Sequence, residues 1–129
     1  MAKVLVVDDD PMIRDVLSDV LSDEGHQVLT ARDGMEALQA LEREGNYLIL
    51  LDLMMPRLDG PGVIRALEAR PTVRDGNRII VMSAAERLFA LSALIASDLV
   101  RERVAKPFEL DLIIELVARH APPPSPRDP

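Results

Sequence analysis

Cysteine and tryptophan are absent from this 129-residue chain, aromatic residues make up 2 % of it, and of its fifteen basic residues only Lys3 and Lys106 are lysines. Without cysteine there is no disulfide framework, no zinc–thiolate site and no thiol nucleophile, which fits a reducing compartment; a cytoplasmic location is expected. Tyr47, Phe89 and Phe108 are the whole aromatic complement. The core must therefore be aliphatic, and a flat cofactor or base has little to stack on. No apolar run approaches the ~20 residues a bilayer span needs, and no basic leader precedes "KVLVVDDD", so neither membrane association nor export is expected. A formal charge of −7, with no basic stripe, opposes attraction to phosphate backbones and argues against direct nucleic-acid binding.

What is present is periodic. "KVLVV" (3–7) and "YLILL" (47–51) are continuous apolar runs of the kind buried parallel strands require, and "QVLTA" (27–31), "RIIVM" (78–82) and "ERVA" (102–105) complete a set of five. Helical spacing lies between them. Met12, Ile13, Val16, Leu17, Val20 and Leu21 share a face, with Asp10 as N-cap, Pro11 at the first helical position and Gly25 as terminator. Ala37, Leu38 and Leu41 predict a helix after Asp33, and Val63, Ile64 and Leu67 one after Gly60. Leu88, Leu91 and Ile95 predict a fourth, and Leu110, Ile113, Ile114 and Val117 a fifth. Strand–helix alternation repeated five times predicts an α/β domain, a doubly wound parallel sheet with helices on both faces, over residues 1–120. "APPPSPRDP" (121–129) suits neither a helix nor a strand interior and is expected to be a disordered tail or linker stub.

Ligands of such sheets bind beyond the carboxyl ends of the strands. Asp8 and Asp9 follow the first strand, Asp52 the third, Ser83 the fourth and Lys106 the fifth. Each alone has a plain explanation: helix capping for the acidic run, a strand-end aspartate, a turn serine, a solvated lysine. Together they put three carboxylates, a hydroxyl and an ammonium at one edge. Gathered carboxylates repel one another unless a proton or a cation neutralises them, and an oxygen-only donor set suits a hard ion such as Mg²⁺, with Mn²⁺ possible. A phosphoryl group on Asp52 would then have its charge met by the ion, by Lys106 and by the Ser83 hydroxyl.

These stretches resemble the response-regulator receiver domains of two-component signalling: "VLVVDDDPMIR", "LLDLMMPRLDG", "VMSA" and "AKPF" stand in the family's order over about residues 3 to 120. The resemblance implies a flavodoxin-like sheet of order 2-1-3-4-5 and a stand-alone signalling switch rather than an enzyme acting on other molecules. It makes Asp52 the phosphoacceptor, Asp9 a direct Mg²⁺ ligand, Asp8 an acidic partner acting through water, and the Met54 carbonyl a further ligand. Ser83 and Lys106 would contact the phosphoryl group, Ala84 would leave it room, and Lys106–Pro107 would be a cis peptide. A compact ammonium reaches a small buried phosphoryl group where a guanidinium fork does not fit, which accounts for a lysine at 106 in an arginine-rich chain. The implied partners are a histidine kinase or histidine phosphotransfer protein and a downstream protein target, with a monomer or a phosphorylation-dependent dimer as the working form.

The departures from the family pattern concern output and lifetime. Arg103 stands where the family usually has the Tyr or Phe that swings inward on activation, and "SDLVRERV" replaces a glycine-containing turn. Met54 and Ala85 occupy positions that tune water attack on the acyl phosphate, and neither can orient a water, so slow self-dephosphorylation is expected. His26 and His120 are expected to be surface residues without transfer chemistry. Three other readings compete. In a haloacid-dehalogenase-type phosphatase, Asp8 would be the nucleophile and Asp10 the acid, which leaves Asp52 unexplained. A flavin carrier of similar fold would lack stacking aromatics. The chain can also be the receiver portion of a larger regulator.

Overall fold

The computed structural model describes residues 2–43, 45–70 and 76–121. The proline-rich segment from residue 122 onward, expected as a tail, lies outside them. Five parallel strands, β1 (Lys3–Val7), β2 (Gln27–Ala31), β3 (Tyr47–Asp52), β4 (Arg78–Ala84) and β5 (Val100–Lys106), form one sheet in the order β2-β1-β3-β4-β5. The central strand explains itself: all six residues of "YLILLD" are buried, as a strand covered on both faces requires.

The helices α1 (Pro11–Asp23), α2 (Gly34–Arg43), α3 (Gly60–Glu68), α4 (Ala85–Ala90) and α5 (Leu110–His120) divide between the two faces. Leu17 and Leu21 of α1 and Ile113, Leu116 and Val117 of α5 pack on Val4, Val6, Leu48, Leu50, Ile80, Met82 and Val104. Ala37 and Leu41 of α2 and Val63, Ile64 and Leu67 of α3, together with Ile95 and Leu99, cover Leu5, Val7, Ile49, Leu51, Ile79 and Val81 on the other side. The α1 boundaries follow the sequence: the Asp10 side chain accepts from the Met12 N–H, Pro11 opens the helix, and Gly25 beyond its end takes a left-handed φ of 92° that favours glycine.

Several expectations need correction. Strands β3, β4 and β5 run longer than their apolar runs, so Asp52, Ser83 and Lys106 lie within the ends of those strands rather than after them. Edge strand β5 starts at Val100 and takes an extra residue between the partners of Ile79 and Ile80. Only part of the α1 apolar face is covered, with Met12 and Val16 exposed. Helix α3 begins at Gly60, capped by the Asp59 side chain on the Gly62 N–H. The fourth helix is six residues long, and Leu91–Ile95 continue as turns; Ile95 still reaches the core, since a turn delivers an apolar side chain as well as a helix does. His26 and His120 are partly buried and partnered rather than free on the surface. The His26 Nδ1 accepts from the Ala2 N–H at 3.2 Å and burial lowers its pKa, while the His120 Nε2 lies 2.9 Å from Glu102 Oε1.

Candidate functional site

The chain leaves β1 for β2 on one side and reaches β3 on the other, so the carboxyl ends of β1 and β3 flank the crevice where open α/β sheets bind ligands. Asp8 leaves β1 fully buried, its N–H donating to the Ala31 carbonyl at 3.1 Å. Its two carboxylate oxygens are engaged separately: Oδ1 accepts from the Asp10 N–H at 2.9 Å and Oδ2 from the Lys106 ammonium at 2.7 Å. Asp9 is exposed at the rim. Asp52, buried at the end of β3, accepts from the Met54 N–H at 3.2 Å and lies 3.8 Å from Lys106 Nζ through the same Oδ1.

Oxygens of Asp8, Asp9 and Asp52 all lie within 4.8 Å of one another. Burial pushes the Asp52 carboxyl up to about 6, and the neighbouring Asp8 charge adds to the rise; Lys106 and the Met54 N–H oppose it, and Asp9 raises it further. The crevice is thus short of positive charge, and its donors are all oxygens, a set that fits a hard divalent cation.

The remaining expected residues fall around this cluster. Ser83 is buried one step along β4 from Met82, the register partner of Asp52, and Ser83 itself pairs with Ala105 of β5. Ala84 follows with partial exposure, Met54 and Ala85 are exposed, and Lys106–Pro107 is cis. Arg103 is exposed on the edge strand in register with Val81, on the α4 side of the sheet. The phosphatase reading finds its proposed nucleophile sealed in, with Asp8 fully buried and held by Lys106, and its proposed acid, Asp10, committed to capping α1. For a flavin, Tyr47 is locked in the core and Phe89 projects into solvent, 85 % exposed.

Sequence reasoning missed two polar residues. Arg14 reaches back from α1 to donate to the Asp8 carbonyl at 2.8 Å, and Arg57, in the loop after β3, pairs with buried Asp33 at 3.3 Å. The Asp33-x-x-Glu36 spacing announces a helix start, and Asp33 does accept from the Glu36 N–H. Nothing in the spacing of Arg14 or Arg57 announces a partner six or twenty-four residues away.

The fold recurs among known proteins. A family model described as the response regulator receiver domain matches residues 4–118. The chain is 32 % identical over 128 residues to sporulation initiation phosphotransferase F of Bacillus subtilis, covering 93 % of this chain and 94 % of that protein. It is 38 % identical over 120 residues to probable transcriptional regulator ycf27 of Porphyridium aerugineum, covering 91 % of this chain and 48 % of that one. The chain spans about half the length of most of these curated relatives. Among solved structures, a CheY-like receiver domain protein from Methanospirillum hungatei superposes with a TM-score of 0.78 at 28 % identity, over 92 % of this chain and 93 % of that one. Response regulator TrrA of Thermotoga maritima, solved in complex with Mg(2+)-BeF, does so with a TM-score of 0.74 at 37 % identity, over 92 % and 98 %.

Proposed function

The chain belongs to the response regulator receiver family, and on that footing we propose that Asp52 is the residue phosphorylated, by a phosphohistidine of a kinase or phosphotransfer partner and with Mg²⁺ as the resident cation. One observation carries the assignment: the carboxylates of Asp8, Asp9 and Asp52 converge within 4.8 Å while the Lys106 ammonium stands 3.8 Å from Asp52. Asp8, Asp9, Asp52 and the Met54 carbonyl would hold Mg²⁺, or Mn²⁺, which supplies charge neutralisation for the phosphoryl oxygens.

In the transfer, an Asp52 oxygen attacks phosphorus and forms the acyl phosphate O–P bond. The N–P bond of the donor breaks, its electron pair stays on the imidazole, and the imidazole regains a proton from solvent. Only ionised Asp52 can attack, and Lys106, 3.8 Å away, favours that form. Lys106 then meets the new negative charge from one side and the Ser83 hydroxyl from another. Residues 1–120 are the receiver, and the signal leaves through protein contacts, by a monomer or a dimer formed on phosphorylation.

Two features bear on output and lifetime. Arg103, exposed on β5, cannot bury as a ring does, so the α4–β5–α5 face rearranges without an inward swing at that position. Comparing free protein with the beryllofluoride-bound form tests this, and an Arg103 side chain found turned into the sheet would refute it. Met54 and Ala85 offer no group to orient water, so the acyl phosphate decays slowly; Met54→Asn or Ala85→Glu is expected to hasten decay, and an unchanged rate counts against the assignment.

The central test is intact mass after incubation with acetyl phosphate and Mg²⁺, beside Asp52→Ala and a chelated control. A single phosphoryl adduct requiring both Asp52 and the cation is expected. An adduct that survives Asp52→Ala would place the chemistry elsewhere.

A further inference from the structure

The loop between β3 and the α3 cap carries the Met54 peptide, whose N–H meets Asp52 and whose carbonyl is assigned above to the cation. Its ends are pinned by backbone bonds. The Leu53 N–H donates to the Met82 carbonyl at 3.3 Å, the Leu53 carbonyl accepts from the Gly60 N–H at 3.1 Å, and the Leu58 carbonyl accepts from the Gly34 N–H at 3.2 Å. Between these pins, over residues 54–57, Met55 packs against the core and the Arg57 guanidinium lies 3.3 Å from Asp33 Oδ2. Asp33 is an anchor rather than a surface charge: its side chain is 4 % exposed and its Oδ1 accepts from the Glu36 N–H at 2.9 Å, capping α2. Arg57 holds a left-handed φ of 70°, a conformation that disfavours arginine, so the pair keeps the backbone where a glycine would rest without help.

We propose that Arg57 is a positioning residue for this site: by pairing with Asp33 it fixes the 54–57 turn to the start of α2 and so holds the Met54 peptide against Asp52 and in reach of the cation. The cation part rests on the function proposed above; the Met54–Asp52 part does not.

The test uses the whole chain. Hydrogen exchange at the Met54 amide, measured without metal, reads the turn independently of phosphoryl chemistry, and calorimetric titration with MgCl₂ reads the cation site. Arg57→Ala and Arg57→Gly are expected to speed Met54 exchange roughly fivefold or more. Both are expected to raise the Mg²⁺ dissociation constant about 3–10-fold, at or below the low end for residues behind metal ligands because Arg57 is half exposed. Arg57→Lys is expected to stay within about twofold of the parent in both, because the contact is a single charged donor rather than a fork.

The glycine variant decides the matter, since it removes the pair while relieving the backbone. If it matches the parent in both readouts, Arg57 merely occupies a turn and the proposal is overturned. Asp33→Asn keeps a capping oxygen and should reproduce Arg57→Ala, and the double variant should be no worse than either alone; additive losses would show that the two residues act separately. A parent chain that obeys the exchange pattern yet takes up no phosphoryl group would sink the assignment of Asp52 and leave the tether standing.

Discussion

Asp52 is held in its resting form at a cost, and the cost has a sign. Its folded pKa of about 6 lies above the ordinary 3.8, so folding favours the protonated carboxyl. That contribution to stability is complete below about 3.8 and is lost as pH rises through about 6, where an ionised Asp52 faces Asp8. Metal-free Asp52→Asn is therefore expected to exceed the parent in stability at pH 8 by on the order of 1–2 kcal/mol, with the margin shrinking toward pH 4. Urea unfolding in a chelator at the two pH values checks this, and a margin equal at both contradicts it. Lys106 makes the opposite case. Among the described residues it is the charge partner of fully buried Asp8, at 2.7 Å, so Lys106→Met leaves a buried carboxylate uncompensated and should cost about 2–4 kcal/mol at pH 7. Lys106→Arg keeps the charge but brings a broad planar fork to a narrow contact. It should recover less than half of that loss in the same urea experiment; full recovery would show that charge alone, not shape, matters at this position.

At the scale of elements, the corner between α2 and the loop after β3 depends on a missing side chain. A Cβ at Gly34 would stand 2.3 Å from the Leu58 carbonyl and 2.9 Å from Val63 Cγ2, a clash with backbone that no rotamer change relieves. Gly34→Ala is expected to destabilise by about 2–4 kcal/mol and to weaken the bond from the Gly34 N–H to Leu58, seen as a lower urea midpoint with an unchanged slope. This corner also marks where sequence reading stops. Strands β1 and β3 were legible because burial on both faces demands unbroken apolar runs, and α1 because Asp10, Pro11 and Gly25 punctuate it. The extent of β5 was not, since an edge strand tolerates the exposed Arg101 and Arg103 and an inserted residue that breaks alternation. Helix α4 was overextended because Leu88, Leu91 and Ile95 keep helical spacing while the last two lie in turns. The carboxylates, Ser83 and Lys106 were legible because strand ends fix their position. Arg14 and Arg57 were not, because their partners are set by how loops approach one another rather than by the period of either element.

For the molecule as a whole, charge is the quantity that the switch trades in. A chain of net charge −7 gathers three carboxylates in one crevice beside Lys106, so its folded state is expected to gain stability from a divalent cation well beyond any ionic-strength effect. An ion that binds only the folded chain stabilises by about 2.7 kcal/mol at one hundred times its dissociation constant, which for a domain of this size corresponds to a rise in Tm of about 8–12 °C. Calorimetric scans in MgCl₂ should therefore show Tm climbing with the logarithm of concentration, while NaCl of equal ionic strength produces little change. Asp9 separates binding from folding: it is exposed at the rim and none of the hydrogen bonds holding Asp8 involves its side chain. Asp9→Asn is expected to leave the metal-free Tm within about 2 °C of the parent while removing most of the Mg²⁺ response, because one fewer carboxylate greatly weakens a hard-ion site without opening the core. A variant that kept the full Mg²⁺ response would place the cation elsewhere than the end of β1. One that lost metal-free stability as well would make Asp9 part of the scaffold rather than of the site.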